Sequence, residues 1–297
     1  MSERICAVVV THNRIKLLKE CIDALRTQTR KLDGIIVVNN DSKDGTKEWL
    51  YDQNDLTTIH QENKGGAGGF YTGIKTAHQS GYDKIWCMDD DCLPQKEALE
   101  NLTALGINET AVLNSTVVDK FNIHKLTFGL YDDLDKKFYK YYADLKGKTI
   151  IYNANFFNGT LIQKKVVEKI GYPNKSFFIY GDDYEYFLRI KEKGIKIITV
   201  VDSIVMHPKQ NHIYVGKGWS FYRINEFNQL GSEYFPRNIM AIWFLYNEYK
   251  FTRLLKTYLY DLFGLLFIQK KSKYFFKYIY SILTGPVFIN EIMHQKK

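Results

Sequence analysis

Hydrophobic positions in the first hundred residues switch between two periods. Ile5–Thr11 reads ICAVVVT, a continuous β-branched run of the kind that forms a strand buried on both faces. Ile15, Leu18, Cys21, Ile22 and Leu25 then recur at helical spacing. Residues 35–38 predict a second buried strand, 46–50 a short helix and 57–60 a third strand. A glycine-rich turn is expected next, then a helix carrying Phe70, Ile74 and Ala77, and residues 84–88 (KIWCM) predict a fourth strand. Alternation of this kind predicts a parallel sheet of right-handed βαβ units. Between residues 110 and 162 the runs AVLNSTVV, KLTFGLY, KFYKYY and TIIYNA predict mixed or antiparallel strands that extend the sheet. Residues 164–170 and 182–193 are helical in pattern, and residues 195–201 form another buried strand. After about Arg237 the pattern becomes helical and rich in Tyr, Phe, Leu and Lys. The expected architecture is therefore α/β over residues 1–237, with a helical region over 238–297.

Ligands of open α/β sheets bind beyond the carboxyl ends of the strands, so the polar residues there carry the candidate chemistry. Thr11, His12, Asn13 and Arg14 follow the first strand, and Asn39 to Thr46 the second. Asn63, Lys64 and the cluster Gly65-Gly66-Ala67-Gly68-Gly69 follow the third, and Asp89-Asp90-Asp91 the fourth. Turn or capping chemistry suffices for any one segment; four converging on one sheet edge predict a crevice. Adjacent carboxylates at the end of a buried strand repel one another unless a cation offsets them. In an extended segment Asp89 and Asp91 share a face, and such hard oxygen donors suit Mg²⁺ or Mn²⁺. The glycine cluster fits neither the GxGxxG nor the Walker spacing, yet glycines opening a helix permit close backbone approach and favour an anion. A second acidic constellation, FIYGDDYEY over residues 178–186, follows an aromatic run and opens a helix. Capping accounts for Asp182 but not for both aspartates, and a carboxylate in an aromatic pocket can serve as a general base. His207, between a strand-like segment and Pro208, would suit Mn²⁺ better than Mg²⁺ if it faced the aspartates.

In order and spacing, VVVTHNR, VVNNDSKDGT, ENKGGAGGF, the MDDD cluster, FFIYGDDYEYFLR, VMHP and EYFPRN resemble the family 2 glycosyltransferases over residues 5–238. NKGGAGGFYTGI with GDDYEY and a later MHP looks most like the galactofuranosyltransferase branch, and dTDP-rhamnose-dependent rhamnosyltransferases come next. The resemblance implies a GT-A fold: a Rossmann-like mixed sheet flanked by helices, here with a C-terminal helical extension. It implies a metal-dependent, inverting transfer from a nucleotide diphosphate sugar to a glycan or lipid-linked glycan. By position, Thr11, Arg14, Asn40, Asp44, Asn63, Gly66, Asp89, Asp90 and Arg237 would line the donor site. Asp89, Asp91 and His207 would hold the Mn²⁺ or Mg²⁺, Asp183 would be the catalytic base, and Asp182 would orient the donor sugar or the acceptor. Tyr234, Arg237 and Asn238 match an element near the diphosphate and acceptor, although Phe235 and Pro236 depart from its usual form. Tyr180-Gly181 stands where the family often has Trp, which leaves the acceptor-side wall open.

Composition narrows the partners. The net charge of +8 calls for an anionic partner, but no nucleic-acid-binding signature accompanies it. The basic residues concentrate near the C-terminus, where Lys250, Arg253, Lys256, Lys270, Lys271, Lys273 and Lys277 lie among Phe, Tyr and Leu. The apolar run over residues 258–268 is too short to span a bilayer. Two placements stay open for it: the membrane interface, or packing on the catalytic domain or a second subunit. Four cysteines without metal-type spacing read as reduced thiols, and no secretory leader is evident. The expected location is the cytoplasm, peripherally at the inner face of the plasma membrane. A nucleotidyltransferase would also join an α/β sheet to a metal, but THNRIKLLKE lacks its basic glycine-rich loop. A non-catalytic sugar-nucleotide-binding protein would be expected to have lost a metal or base carboxylate.

Overall fold

In the computed structural model, which describes residues 3–107, 109–209, 212–215, 222–225, 227–247 and 250–295, the apolar runs become the centre of one large sheet. All seven residues of β1 (Ile5–Thr11) are buried. On either side run β2 (Gly34–Asn40) and β4 (Lys84–Asp89), both parallel to it, and β3 (Thr57–Gln61) lies parallel beyond β2. The helices α1 (Ile15–Arg26), α2 (Thr46–Tyr51) and α3 (Gly65–Gln79) make the crossovers. Leu18, Cys21, Ile22 and Leu25 are the buried face of α1, as their spacing predicts. The carboxyl ends of all four parallel strands therefore meet at one edge.

Beyond β4 the sheet becomes mixed. After the two-residue β5 (Leu93–Pro94) and α4 (Ala98–Ala104) come β6 (Ala111–Asp119), β7 (Asn122–Asp132), β8 (Lys137–Tyr141) and β9 (Ile150–Ile151). Next are β10 (Asn158–Gln163), α5 (Lys164–Ile170), α6 (Asp182–Glu192) and β11 (Lys196–His207). The strand order is β3-β2-β1-β4-β10-β6-β11-β5, with β10 antiparallel to both β4 and β6, and β7 and β8 continuing from β6 as an antiparallel extension. The runs at 195–201 and 204–207 are one strand, not two: β11 pairs with β6 on both sides of a bulge between Val200 and Ile204. A bulge re-aims the side chains beyond it, and here the strand ends on His207.

The glycine-rich segment is helical throughout, where its composition predicts a turn. A Cβ on Gly73 would lie 2.3 Å from Cγ1 of Val8, and one on Gly69 would lie 2.3 Å from Cγ1 of Val10. The close approach that these glycines permit is thus of α3 to β1. We expect Gly73→Ala to lose about 1–3 kcal/mol to overpacking against a gain of only about 1 kcal/mol in helix propensity. The melting temperature, read by circular dichroism, should fall by about 2–4 °C.

Two compact units divide the chain. The first comprises Met1–Lys175 and Tyr186–Gln210, the second Ser176–Glu185 and Asn211–Lys297. In the second, β12 (His212–Val215) pairs antiparallel with β13 (Tyr222–Asn225), followed by α7 (Gln229–Tyr246), α8 (Phe251–Phe263), a π-helical turn over Gly264–Ile268 and α9 (Ser272–Gln295). Phe227, Leu254, Tyr258, Leu265 and Tyr278 form the core of these helices. Helix α7 runs unbroken through positions 237 and 238. Among the described residues no helix is long and apolar enough to cross a membrane.

Candidate active site

The strand-end loops of the first unit are tied to one another. Asn13 N donates to Ser42 Oγ at 2.9 Å, and Asn13 Oδ1 accepts from Lys43 N at 2.6 Å. The Asp44 carboxylate accepts from the Ile15 amide (2.9 Å) and the Thr46 hydroxyl (2.6 Å), so one side chain anchors the starts of α1 and α2. Burial alone would raise its pKa, but these donors outweigh burial and lower it. Asn40 donates to the Gly65 carbonyl at 2.9 Å and accepts from Gln61 at 2.6 Å, and Asn63 Oδ1 accepts from the Gly65 amide at 2.9 Å. Asn13 and Asp41 hold left-handed backbones (φ 56° and 61°), which short polar side chains tolerate best. Thus Asn40, Asp44 and Asn63 tie these strand-end loops together, and Gly66 lies in the first turn of α3.

The three aspartates part ways because β4 stops at Asp89. Asp90 and Asp91 lie in a turn, so alternation no longer pairs Asp89 with Asp91. Buried Asp90 accepts from Thr11 Oγ1 at 2.7 Å and from Arg14 Nη1 at 3.2 Å. Its burial outweighs both donors and lifts its pKa to about 6. The same Arg14 nitrogen reaches Asp91 Oδ2 at 2.9 Å. Burial opposes the Arg14 charge, but the aspartates outweigh it and raise its pKa.

Asp91 turns its other oxygen toward His207. Asp91 Oδ1 is buried without a hydrogen-bond donor, and His207 Nε2 stands 3.1 Å from it. His207 Nδ1 is occupied by the Pro208 carbonyl at 2.6 Å, which leaves Nε2 as the free ligand atom. Two acceptor atoms face each other this closely only as an imidazolium–carboxylate pair or as joint ligands of a cation. The residues therefore fit a divalent ion. Burial would lower the pKa of His207, but Asp91 outweighs it and raises it; burial would raise that of Asp91, but His207 and Arg14 lower it. Among the described residues, the donor atoms that gather within 4.8 Å of one another belong to Asp91, Cys92 and His207, without Asp89. Cys92 directly follows the three aspartates, but sequence reading takes it only as one of four reduced thiols, since it has no CxxC partner or matching histidine spacing.

The second acidic site opens α6. Asp182 and Asp183 both sit inside its first turn, so neither is the N-cap, and the helix N-terminus favours their charge. Asp182 is buried, whereas Asp183 keeps some solvent access and accepts from the Tyr184 amide at 2.8 Å. Burial first, then the neighbouring Asp183, pushes Asp182 well above the usual carboxylate range, and burial raises Asp183 also. The preceding loop is strained: Phe178 and Tyr180 have φ of 62° and 66°, a conformation non-glycine residues rarely adopt. Asn238 holds this loop. Its buried amide donates to the carbonyls of Phe177 (2.9 Å), Ile179 (2.9 Å) and Tyr180 (2.8 Å). Arg237 donates to the Ser176 carbonyl at 3.3 Å, and its guanidinium carbon lies 4.6 Å and 4.3 Å from the ring centroids of Tyr234 and Phe288. Burial lowers the pKa of Arg237.

Within this unit, then, Arg237 and Asn238 act on the backbone before the aspartates. Asn238→Ala should take a donor from all three carbonyls, of which Phe177 keeps the Ile179 amide, and let the strained loop relax. We expect kcat to fall about 10–100-fold, the scale of lost supporting hydrogen bonds at reactive centres. KM for the donor should change much less, and steady-state kinetics separates the two.

Comparison with known proteins agrees with this geometry. Residues 6–171 match Glycosyl transferase family 2. The chain is 31% identical to the galactofuranosyltransferase GlfT1 of Mycolicibacterium smegmatis over 70% of its own length and 72% of that protein. It is 33% identical to GlfT1 of Mycobacterium tuberculosis over 70% and 71%. To the dTDP-rhamnosyl transferase RfbF of Shigella flexneri it is 26% identical over 70% of each chain. Among solved structures, GalNAc-T7 with UDP, GalNAc and Mn²⁺ superposes with a TM-score of 0.56 at 14% identity, covering 90% of this chain and 57% of that one. S. aureus TarS superposes with a TM-score of 0.55 at 13% identity, covering 90% and 44%. This chain thus spans about half the length of those two structures, which share its GT-A fold. With a match over more than half its length, on strands whose ends carry the clustered aspartates, the chain belongs to the family 2 glycosyl transferases.

Proposed function

We propose that this glycosyltransferase moves galactofuranose from UDP-galactofuranose onto a hydroxyl of a cell-surface polysaccharide or lipid-linked glycan, with inversion. The observation that carries the donor assignment is the 31–33% identity to proteins named galactofuranosyltransferase, against 26% to a rhamnosyl transferase. In this reading Asp183 takes the proton of the acceptor hydroxyl as its oxygen attacks the anomeric carbon. The nucleoside diphosphate departs from the opposite face, so a single displacement inverts the centre and needs no covalent intermediate. Asp182, buried and of raised pKa, orients the sugar or the acceptor through a hydrogen bond. Asp91 and His207 hold Mn²⁺ or Mg²⁺, which when bound offsets the charge developing on the departing diphosphate. Thr11 and Arg14, which fix Asp90 and Asp91, keep these carboxylates in place.

Purified protein, Mn²⁺, a lipid-linked glycan extract and a panel of UDP- and dTDP-sugars test the reading, with released nucleoside diphosphate as the readout. UDP release from UDP-galactofuranose, absent with EDTA, is expected. Release of dTDP from dTDP-rhamnose would keep the mechanism and replace the donor, whereas pyrophosphate release would remove the transferase chemistry itself.

A further inference from the structure

The helices of the second unit leave two apolar stripes uncovered. On α8, Phe251, Leu255, Leu259 and Phe263 succeed one another at four-residue intervals and are 51%, 44%, 65% and 50% exposed. On α9, Phe276, Tyr280, Leu283 and Val287 are 70%, 68%, 70% and 61% exposed. At about 100° per residue these four project within roughly 60° of one another. Each helix also has a packed side: Tyr258 and Tyr278 meet edge to face with ring centroids 6.1 Å apart, Tyr278 donates to Asp261 at 2.8 Å, and at the start of α8 half-exposed Phe251 lies against Trp243 with ring centroids 5.1 Å apart. These rings and aliphatic side chains are therefore exposed beyond what the core uses, and large exposed apolar patches mark interaction sites.

Charge selects the occupant. Between residues 250 and 295 stand seven basic residues, Lys250, Arg253, Lys256, Lys270, Lys271, Lys273 and Lys277, against two acids, Asp261 and Glu291; of the seven, Lys277 pairs with Glu233 at 3.0 Å and Lys271 donates to the Phe227 carbonyl at 2.9 Å. Asp261 is buried. An apolar stripe with lysines beside it, on a helix too polar to insert across a bilayer, matches the chemistry of an anionic lipid interface. A protein groove would cover the rings but would leave this excess of positive charge unused.

We infer that α8 and α9 seat the second unit on the surface of an anionic phospholipid bilayer, rings and aliphatic side chains in the headgroup region and lysines on the phosphates. The inference deepens the proposed use of a lipid-linked acceptor, since it would bring the enzyme to the plane where such acceptors lie. It does not depend on the donor sugar.

Co-sedimentation of the full chain with vesicles tests it, because the readout needs no catalysis. Vesicles of phosphatidylcholine with about one-third phosphatidylglycerol should pull down the protein, and phosphatidylcholine alone should not. Binding should weaken with salt on the Debye scale. The double substitution Leu283→Glu and Val287→Glu, at sites already exposed, should abolish the pull-down with the circular dichroism spectrum unchanged. Lys256→Gln with Lys273→Gln should weaken it by about 25-fold, at about fivefold for each charge removed. A wild-type chain that stays in the supernatant with both vesicles overturns the inference. So does a chain that light scattering shows to be a dimer and that Leu283→Glu with Val287→Glu turns into a monomer, since the stripes would then join two copies. Donor turnover that persists without vesicle binding leaves the proposed function standing alone.

Discussion

Asp183→Asn is expected to lower kcat by about 10²–10⁴-fold, the range a positioned general base contributes, while donor binding measured by calorimetry stays close to wild type. The amide keeps the size and the hydrogen bond from the Tyr184 amide but cannot accept the proton. Loss of kcat with donor affinity retained is the signature of an interaction made only in the transition state. A variant that turned over at the wild-type rate would move the base elsewhere.

The same site sets a pH dependence. Burial raises the pKa of both Asp182 and Asp183. A base must be ionised to act, so the acid limb of kcat/KM should lie above the ordinary carboxylate value of about 4. Stability should move the other way. A carboxyl whose folded pKa is raised binds more protons folded than unfolded between its two values. Its contribution is full below the unfolded pKa and is lost as pH rises through the folded one. Asp182→Asn removes that loss, so its advantage in melting temperature over wild type should grow between pH 5 and pH 8.

Much of this is legible in the sequence, and the physical reasons for the exceptions are specific. The buried runs at β1, β2 and β4 can be read because a strand covered on both faces has no polar positions. The aspartate cluster after KIWCM marks the strand end correctly. Its internal geometry is not legible, because alternation holds only while the chain is extended, and the turn at Asp90 and Asp91 sends their side chains to Thr11, Arg14 and His207. The glycine cluster reads as a turn since glycine is a poor helix former; packing of α3 on Val8 and Val10 overrides that propensity. Asn238 is tied to the reaction by resemblance alone. Its three carbonyl partners lie about sixty residues away in sequence, a separation that no local pattern reports.

The second large effect belongs to the metal donors. His207→Ala and Asp91→Ala are each expected to weaken Mn²⁺ binding by well over the 10–100-fold typical of losing a supporting residue, and to lower turnover accordingly. Electron paramagnetic resonance of free Mn²⁺ reads the affinity without activity. Wild-type affinity should fall as pH is lowered: the Asp91 carboxylate raises the pKa of His207, so protons compete for Nε2 from above the ordinary histidine value of about 6.5. The His207→Ala variant should lose that part of the pH dependence along with the affinity. Cys92 supplies the contrast. Burial raises its pKa well above the usual thiol range, so it stays a neutral thiol, a poor ligand for a hard ion. Cys92→Ser should therefore leave Mn²⁺ affinity nearly unchanged. A large loss in that variant, with His207→Ala harmless, would move the centre of the site from the imidazole to the sulfur.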